Sequence, residues 1–94
     1  MKFNLGRCVA TPGCLRVLEE AGQTPIEFLQ RHASGDWGDL DDEDKQANDA
    51  ALTTGGRILS SYHTTTKTKL WVITEGTDGA GIRQSTCLLL PSEY

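Results

Sequence analysis

The sequence predicts an α+β fold: a short N-terminal strand, two to three helices, then a three-stranded antiparallel β-meander. Three observations carry this expectation. In the first half, helix start and stop residues bracket stretches of helical periodicity. From Arg57 onward the apolar period switches to two. The chain of 94 residues is long enough for one core only, so residues 1–94 are read as a single domain.

Along Lys2–Ala10, Phe3, Leu5 and Val9 alternate loosely around Gly6, a pattern that suits a short strand at a sheet edge. The pattern leaves open whether residues 1–9 pair with the meander or stand apart. Thr11-Pro12 reads as an N-cap followed by the proline favoured at the first helical position, and Gly22 supplies a left-handed stop. The first helix therefore runs from about Pro12 to Ala21. Thr24-Pro25-Ile26-Glu27 has the form of a capping box, in which Thr24 accepts from the Glu27 amide and Glu27 reaches back. Ile26, Leu29 and Ala33 line one side of this second helix, with Phe28 and His32 adjacent, and Gly35 ends it.

Asp36-Trp37-Gly38-Asp39-Leu40 is a loop by composition, and Asp41 is a candidate N-cap for a third helix. Asp42, Glu43 and Asp44 crowd its first turn, where each exposed carboxylate gains roughly 0.3–1 kcal/mol from the helix dipole. Ala47, Ala50, Ala51 and Leu52 give it a narrow face of mostly small residues before Gly55-Gly56. The strands follow at Arg57–His63, Lys69–Glu75 and Gln84–Leu90. Their connections, Thr64–Thr68 and Gly76–Gly81, are too short for a parallel crossover, so consecutive strands are antiparallel neighbours. Pro91 and the polar Ser92-Glu93-Tyr94 close the last strand.

Both faces of this meander are apolar. Leu70 and Val72 point one way and Trp71 and Ile73 the other, while Cys87 and Leu89 oppose Leu88 and Leu90. Helices can cover one face. The other calls for a cover as well, and the pattern admits the third helix, the connection from the leading strand, a second copy of the chain, or a target protein.

Net charge is −4, unevenly spread. Asp36, Asp39, Asp41, Asp42, Glu43, Asp44 and Asp49 face one base, Lys45, so that segment carries −6 and the remainder +2. An acidic surface of this kind repels phosphate backbones and argues against direct nucleic-acid binding. Cys8, Cys14 and Cys87 form no even framework and read as reduced thiols acting as small apolar residues. The opening residues lack an apolar signal-peptide core, and the longest apolar run, Cys87–Leu90, cannot span a membrane. The expectation is a cytoplasmic protein without cofactor or metal.

No residue pattern specifies a reaction. A calcium loop begun at Asp39 places Asp44 at its sixth position and Ala50 at its twelfth, where glycine and glutamate belong. His32 and His63 have no paired spacing with cysteines. Ser60, Ser61 and Thr64–Thr66 lack triad context, and Gly76–Gly81 does not open a helix as a phosphate loop would. What remains is the acidic block: either the solvated start of a helix, or a surface that meets a basic patch on a partner. In the second reading the binding residues are Asp36, Trp37, Asp39, Asp41, Asp42, Glu43 and Asp44, with Trp37 as the aromatic anchor; taken by itself, Trp37 reads first as a lid packed on a small core.

Two resemblances bear on these alternatives. Asn4-Leu5-Gly6-Arg7 with Ala10-Thr11-Pro12-Gly13, Ser34–Leu40 through Asn48-Asp49, Lys69–Glu75 and Leu89–Tyr94 resemble a family of short bacterial proteins without a settled activity, borne on plasmids, integrative elements and phages. Members are sometimes labelled restriction–modification subunits. A chain of this length without a methyltransferase cofactor motif does not suit methyl transfer. The resemblance implies a non-enzymatic accessory protein of a mobile element that inhibits a host defence complex, of anti-CRISPR or anti-restriction type. Its partner is then a host protein or nucleoprotein complex with a basic surface, with a homodimer compatible. The order of elements is also similar to the RelE/ParE toxin fold, which implies an alternative ribonuclease role using Arg57, Tyr62, His63 and Arg83; the scattered bases and acidic charge do not favour it.

Overall fold

The computed structural model describes Met1–Tyr94. Its elements are β1 (Arg7–Ala10), α1 (Pro12–Ala21), α2 (Pro25–Ala33), α3 (Asp42–Thr54), β2 (Ile58–His63), β3 (Lys69–Thr74) and β4 (Ser85–Leu89), closed by a 3₁₀ turn at Pro91–Glu93. The expected meander is present, but as part of a larger sheet. The sheet is four-stranded and mixed, in the order β1-β4-β3-β2, with β1 parallel to β4. A parallel neighbour requires a long crossover. The three helices and two other strands between β1 and β4 supply it.

Local chemistry fixes the helix ends. The Thr11 hydroxyl accepts from the Cys14 amide at 3.2 Å, and Gly22 at φ 68° ends α1. There Gly22 donates to Glu19 and Gln23 donates to Leu18, the paired bonds of a Schellman motif. Asp41 caps α3 by accepting from the Asp44 amide at 2.8 Å. Thr24 makes no side-chain cap on α2. Glu27 instead accepts from the Gln23 amide group at 2.7 Å, so the expected capping box does not close. Gln23 also accepts from the Thr65 amide, which ties the α1–α2 corner to the β2–β3 turn.

The main core lies between the sheet and α1 and α2: Cys14, Leu18, Phe28, Tyr62, Leu70, Val72 and Leu88. Register explains the selection. Tyr62 pairs with Leu70, and Val72 stands between Ser60 and Leu88, so these side chains share the helix-covered face. The second helix is rotated from the expected orientation: Phe28, His32 and Ala33 are buried, whereas Ile26 is 62% exposed. A smaller core joins Trp37, Ala51 and Ile58 to Phe3, Leu40 and Leu52.

The opposite face carries Trp71, Ile73, Cys87 and Leu89, as the alternation requires. The chain itself covers much of it. Ile73 and Leu89 are 6% and 7% exposed, and Tyr94 packs edge-on against Trp71 at 5.8 Å between ring centroids. Glu93 holds this C-terminal turn in place by accepting from the Thr11 hydroxyl and the Leu90 amide.

The outer edge of β2 is sealed without a fifth strand. Asn48 of α3 donates to the Leu59 carbonyl at 2.7 Å and accepts from the Leu59 amide at 3.1 Å. One residue pair further along, the Ser61 amide donates to the Trp37 carbonyl and the Asp39 amide donates to the Ser61 carbonyl. Gly38, at φ 76°, passes so close that a Cβ would overlap the Ser61 carbonyl. At the far end of α3, the buried Arg83 guanidinium donates to the carbonyls of Ala51, Gly56 and Glu75. The helix is thus anchored at its middle and at its negative end.

Asn48→Ala removes both Leu59 bonds and leaves a strand edge unsatisfied. It should cost about 1–3 kcal/mol of stability, read from the urea midpoint. Gln46→Ala, an exposed substitution on the same helix, should change stability by under about 0.5 kcal/mol.

Candidate functional site

The seven carboxylates of the acidic block are all exposed, but they are not equivalent. Asp36 accepts from Arg31 Nε at 2.7 Å and from the Gly38 amide at 3.1 Å. The Arg31 bond is the main cause holding its carboxyl below the usual range. Asp39 pairs with His63 Nδ1 at 2.7 Å, Asp41 is occupied as the cap, and Asp49 accepts from the Trp37 indole at 2.9 Å. Asp42, Glu43 and Asp44 have no ion-pair partner. The block therefore reduces to a ridge at the first turn of α3, three free carboxylates flanked by Asp39, Asp41 and Asp49.

Trp37 does not belong to that surface. It is 4% exposed and packs against Ala51, Ile58 and Phe3, with His32 edge-on at 5.9 Å. Of its two readings, the lid on a small core holds and the aromatic anchor does not, because its loop lies along β2 and turns the indole inward. Beside the ridge the structure offers a different feature. Leu40, Ala47, Leu59, Asn48 and Asp44 line a cleft of about 190 Å³ between α3 and the β2 edge. Its floor is mostly apolar and Asp44 supplies its charge, an arrangement that suits the methylene stem and cationic head of a lysine or arginine.

The residues of the ribonuclease alternative are not brought together. Tyr62 is fully buried, donates to the Asp36 carbonyl at 2.6 Å and carries Arg31 over its ring. Arg83 is consumed by the carbonyls of Ala51, Gly56 and Glu75. His63 is held by Asp39 at the surface, and Arg57 donates to the Tyr94 hydroxyl at 2.8 Å.

Sequence reasoning missed a buried polar chain. His32 Nδ1 lies 2.6 Å from Ser60 Oγ and Nε2 lies 2.8 Å from Thr74 Oγ1; Thr74 meets Thr86 at 2.7 Å, and Thr86 donates to the Leu5 carbonyl. A carbonyl only accepts, and this fixes every proton. Thr86 donates to Leu5, Thr74 to Thr86, His32 Nε2–H to Thr74, and Ser60 to the bare Nδ1. The Ser60–His32 pair has hydrolase-like geometry, yet both side chains are fully buried and a threonine stands where an acid would orient the ring. The signal was present in the sequence: Ser60, Thr74 and Thr86 are polar at inward strand positions, and such groups need a partner.

The thiolate is disfavoured at two of the three cysteines. Burial pushes Cys14 up to about 11 and also raises Cys87, and Cys8 is free and exposed. No three His, Cys, Asp or Glu side chains converge in a geometry that could hold a metal ion. No helix is long and apolar enough to cross a membrane.

The leading strand is an edge strand, as its pattern suits, and its outer side is open. Val9, Leu15 and Ile26 are 42%, 46% and 62% exposed. They lie in or beside two adjoining apolar grooves of about 300 and 180 Å³, which share Leu29 as a wall. No family model, curated protein or solved structure matches this chain.

Burial lowers His32 to about 4 from its ordinary 6.5. The folded ring is therefore neutral where the unfolded one takes up a proton. Its contribution to stability is whole above about pH 6.5 and is lost as pH falls towards 4, at about 1.4 kcal/mol per unit. Between pH 6.5 and 5 the wild type should lose about 2 kcal/mol by urea titration. His32→Gln should flatten this slope, and the His32 ring resonances should not titrate above pH 5.

Proposed function

We propose that this chain is a non-enzymatic binding protein that engages a basic surface on a host defence complex and inhibits it, using the acidic ridge at the start of α3. One observation carries the reading: Asp42, Glu43 and Asp44 stand exposed and make no ion pair, with Lys45 the single base beside them, on a helix held rigidly at Asn48 and at its C-terminal end. Fixed like charges of this kind raise the encounter rate with a cationic partner and orient it. The ridge presents an acidic row to side chains that otherwise grip phosphates. The adjoining cleft gives a lysine or arginine somewhere to bury its stem.

The defence setting comes from the resemblance to proteins of mobile elements, in which small inhibitors of restriction and CRISPR systems are common cargo. Direct nucleic-acid binding does not suit a surface of this sign. No specific arrangement favours the ribonuclease alternative.

Expression of the chain in hosts carrying defined CRISPR or restriction systems, followed by phage challenge, tests the proposal. Protection of the phage by orders of magnitude in one system is the expected result. The triple variant Asp42→Asn, Glu43→Gln, Asp44→Asn should abolish it while the fold survives, because these three make no side-chain bond within it; an unfolding free energy lowered by no more than the lost dipole interaction, about 1–3 kcal/mol in sum, checks that. Full protection by that variant would reject the ridge, and absence of protection across the panel would reject the function.

A further inference from the structure

We propose that two copies of this chain pair through their β1 edges, antiparallel about a two-fold axis at Val9, to form one continuous eight-stranded sheet. The free edge supplies the first argument. Arg7 and Thr11 donate to Gln84 and Leu88 of the β4 segment, so the odd residues face β4. By the alternation of a strand, the amides and carbonyls of Cys8 and Ala10 then point away from the sheet. Apart from β4, no element packs extensively against β1. An edge of this kind is a template for another strand.

The chain's own sequence narrows the occupant and its register. Antiparallel pairing about Val9 sets Cys8 opposite Ala10 of the second copy and Ala10 opposite its Cys8. Each such pair exchanges both backbone bonds. A centre at Ala10 would oppose Cys8 to Pro12, which has no donor. A centre at Cys8 would oppose Ala10 to Gly6, whose φ of 65° lies outside strand geometry. Only the Val9 centre satisfies all the outward groups.

Charge complementarity selects a second copy over an unrelated strand. The Val9 register places Arg7 opposite Thr11 of the other chain. Thr11 is where Glu93 is fastened, its carboxyl held below the usual range chiefly by that hydroxyl, then by the Leu90 and Gly13 amides. Arg7 is exposed and has no carboxylate partner within its own chain. Two-fold symmetry makes this Arg7–Glu93 approach twice. On the helix-covered side, Leu15, Pro25 and Leu29 border the edge as an apolar wall against the incoming strand.

Sedimentation equilibrium of the full chain over a wide concentration range tests this, with two variants. The wild type should be a reversible dimer. Val9→Lys sets two cations face to face on the axis and should raise the dissociation constant roughly tenfold or more, with an unchanged unfolding midpoint of the monomer. In a Cys8→Ser background, Val9→Cys should form an intermolecular disulfide on mild oxidation. Its two Cα atoms would lie about 4.5 Å apart in a non-hydrogen-bonded pair, within disulfide reach. A wild type that stays monomeric throughout would overturn the proposal. So would a dimer that survives Val9→Lys and fails to cross-link through position 9, since its interface would then lie on another face.

Discussion

The fold turns on one buried line of hydrogen bonds, Ser60 to His32 to Thr74 to Thr86 to the Leu5 carbonyl. It crosses β2, β3 and β4, takes in α2, and ends on the segment that leads into β1. Its four side chains are free of solvent, so an incomplete chain would leave polar groups stranded at about 1–3 kcal/mol each. That cost makes the arrangement cooperative. Docking of the N-terminal segment satisfies Thr86, and Thr86 in turn completes the environment that keeps His32 neutral. The apolar core next to it supplies most of the burial, but burial alone does not dictate which strand lies beside which.

The same need to satisfy polar groups explains how the acidic helix is held. Only Asn48 and Ala51 of α3 are buried. A helix with so little apolar surface would gain little from packing, roughly 25 cal/mol per Å². It is retained by discrete bonds instead: Asn48 across the Leu59 edge, and Arg83 across the C-terminal carbonyls. This leaves its N-terminal turn free to carry three carboxylates that form no ion pair within the chain. The two ends of the sheet are consequently unlike. The β2 edge is closed by a loop and a side chain, and it bears the ridge. The β1 edge is open and apolar, with Arg7 at one end and Glu93, held on Thr11, at the other.

Much of the fold was legible because its signals are local. Thr11-Pro12 and Gly22, Asp41 and Gly55, and the alternation of Leu70 to Ile73 each depend on near neighbours in the chain, and they locate α1, α3 and β3. The errors came where two parts of the chain compete for one group. Glu27 was free to close a capping box until Gln23 engaged it. Ile26 had the right spacing to be buried, yet α2 turned to bring His32 to Ser60 and Thr74. The candidate site shows the same division. That Asp42, Glu43 and Asp44 lie on the first turn of a helix was readable from composition and spacing. That Trp37 lids a small core was readable as its simpler role, but its partners Phe3, Ala51 and Ile58 were not, because they come from three separate segments.

The sequence by itself located the helices and the last three strands to within a residue or two, and showed that those strands run antiparallel and that one segment holds most of the negative charge. Those properties follow from interactions over a few residues and from simple counting. Only the tertiary structure decided that β1 joins β4 in parallel, that the β2 edge is closed while the β1 edge is open, and which carboxylates remain unpaired. Each of these depends on which distant donor reaches which acceptor first, and local periodicity contains no record of that choice.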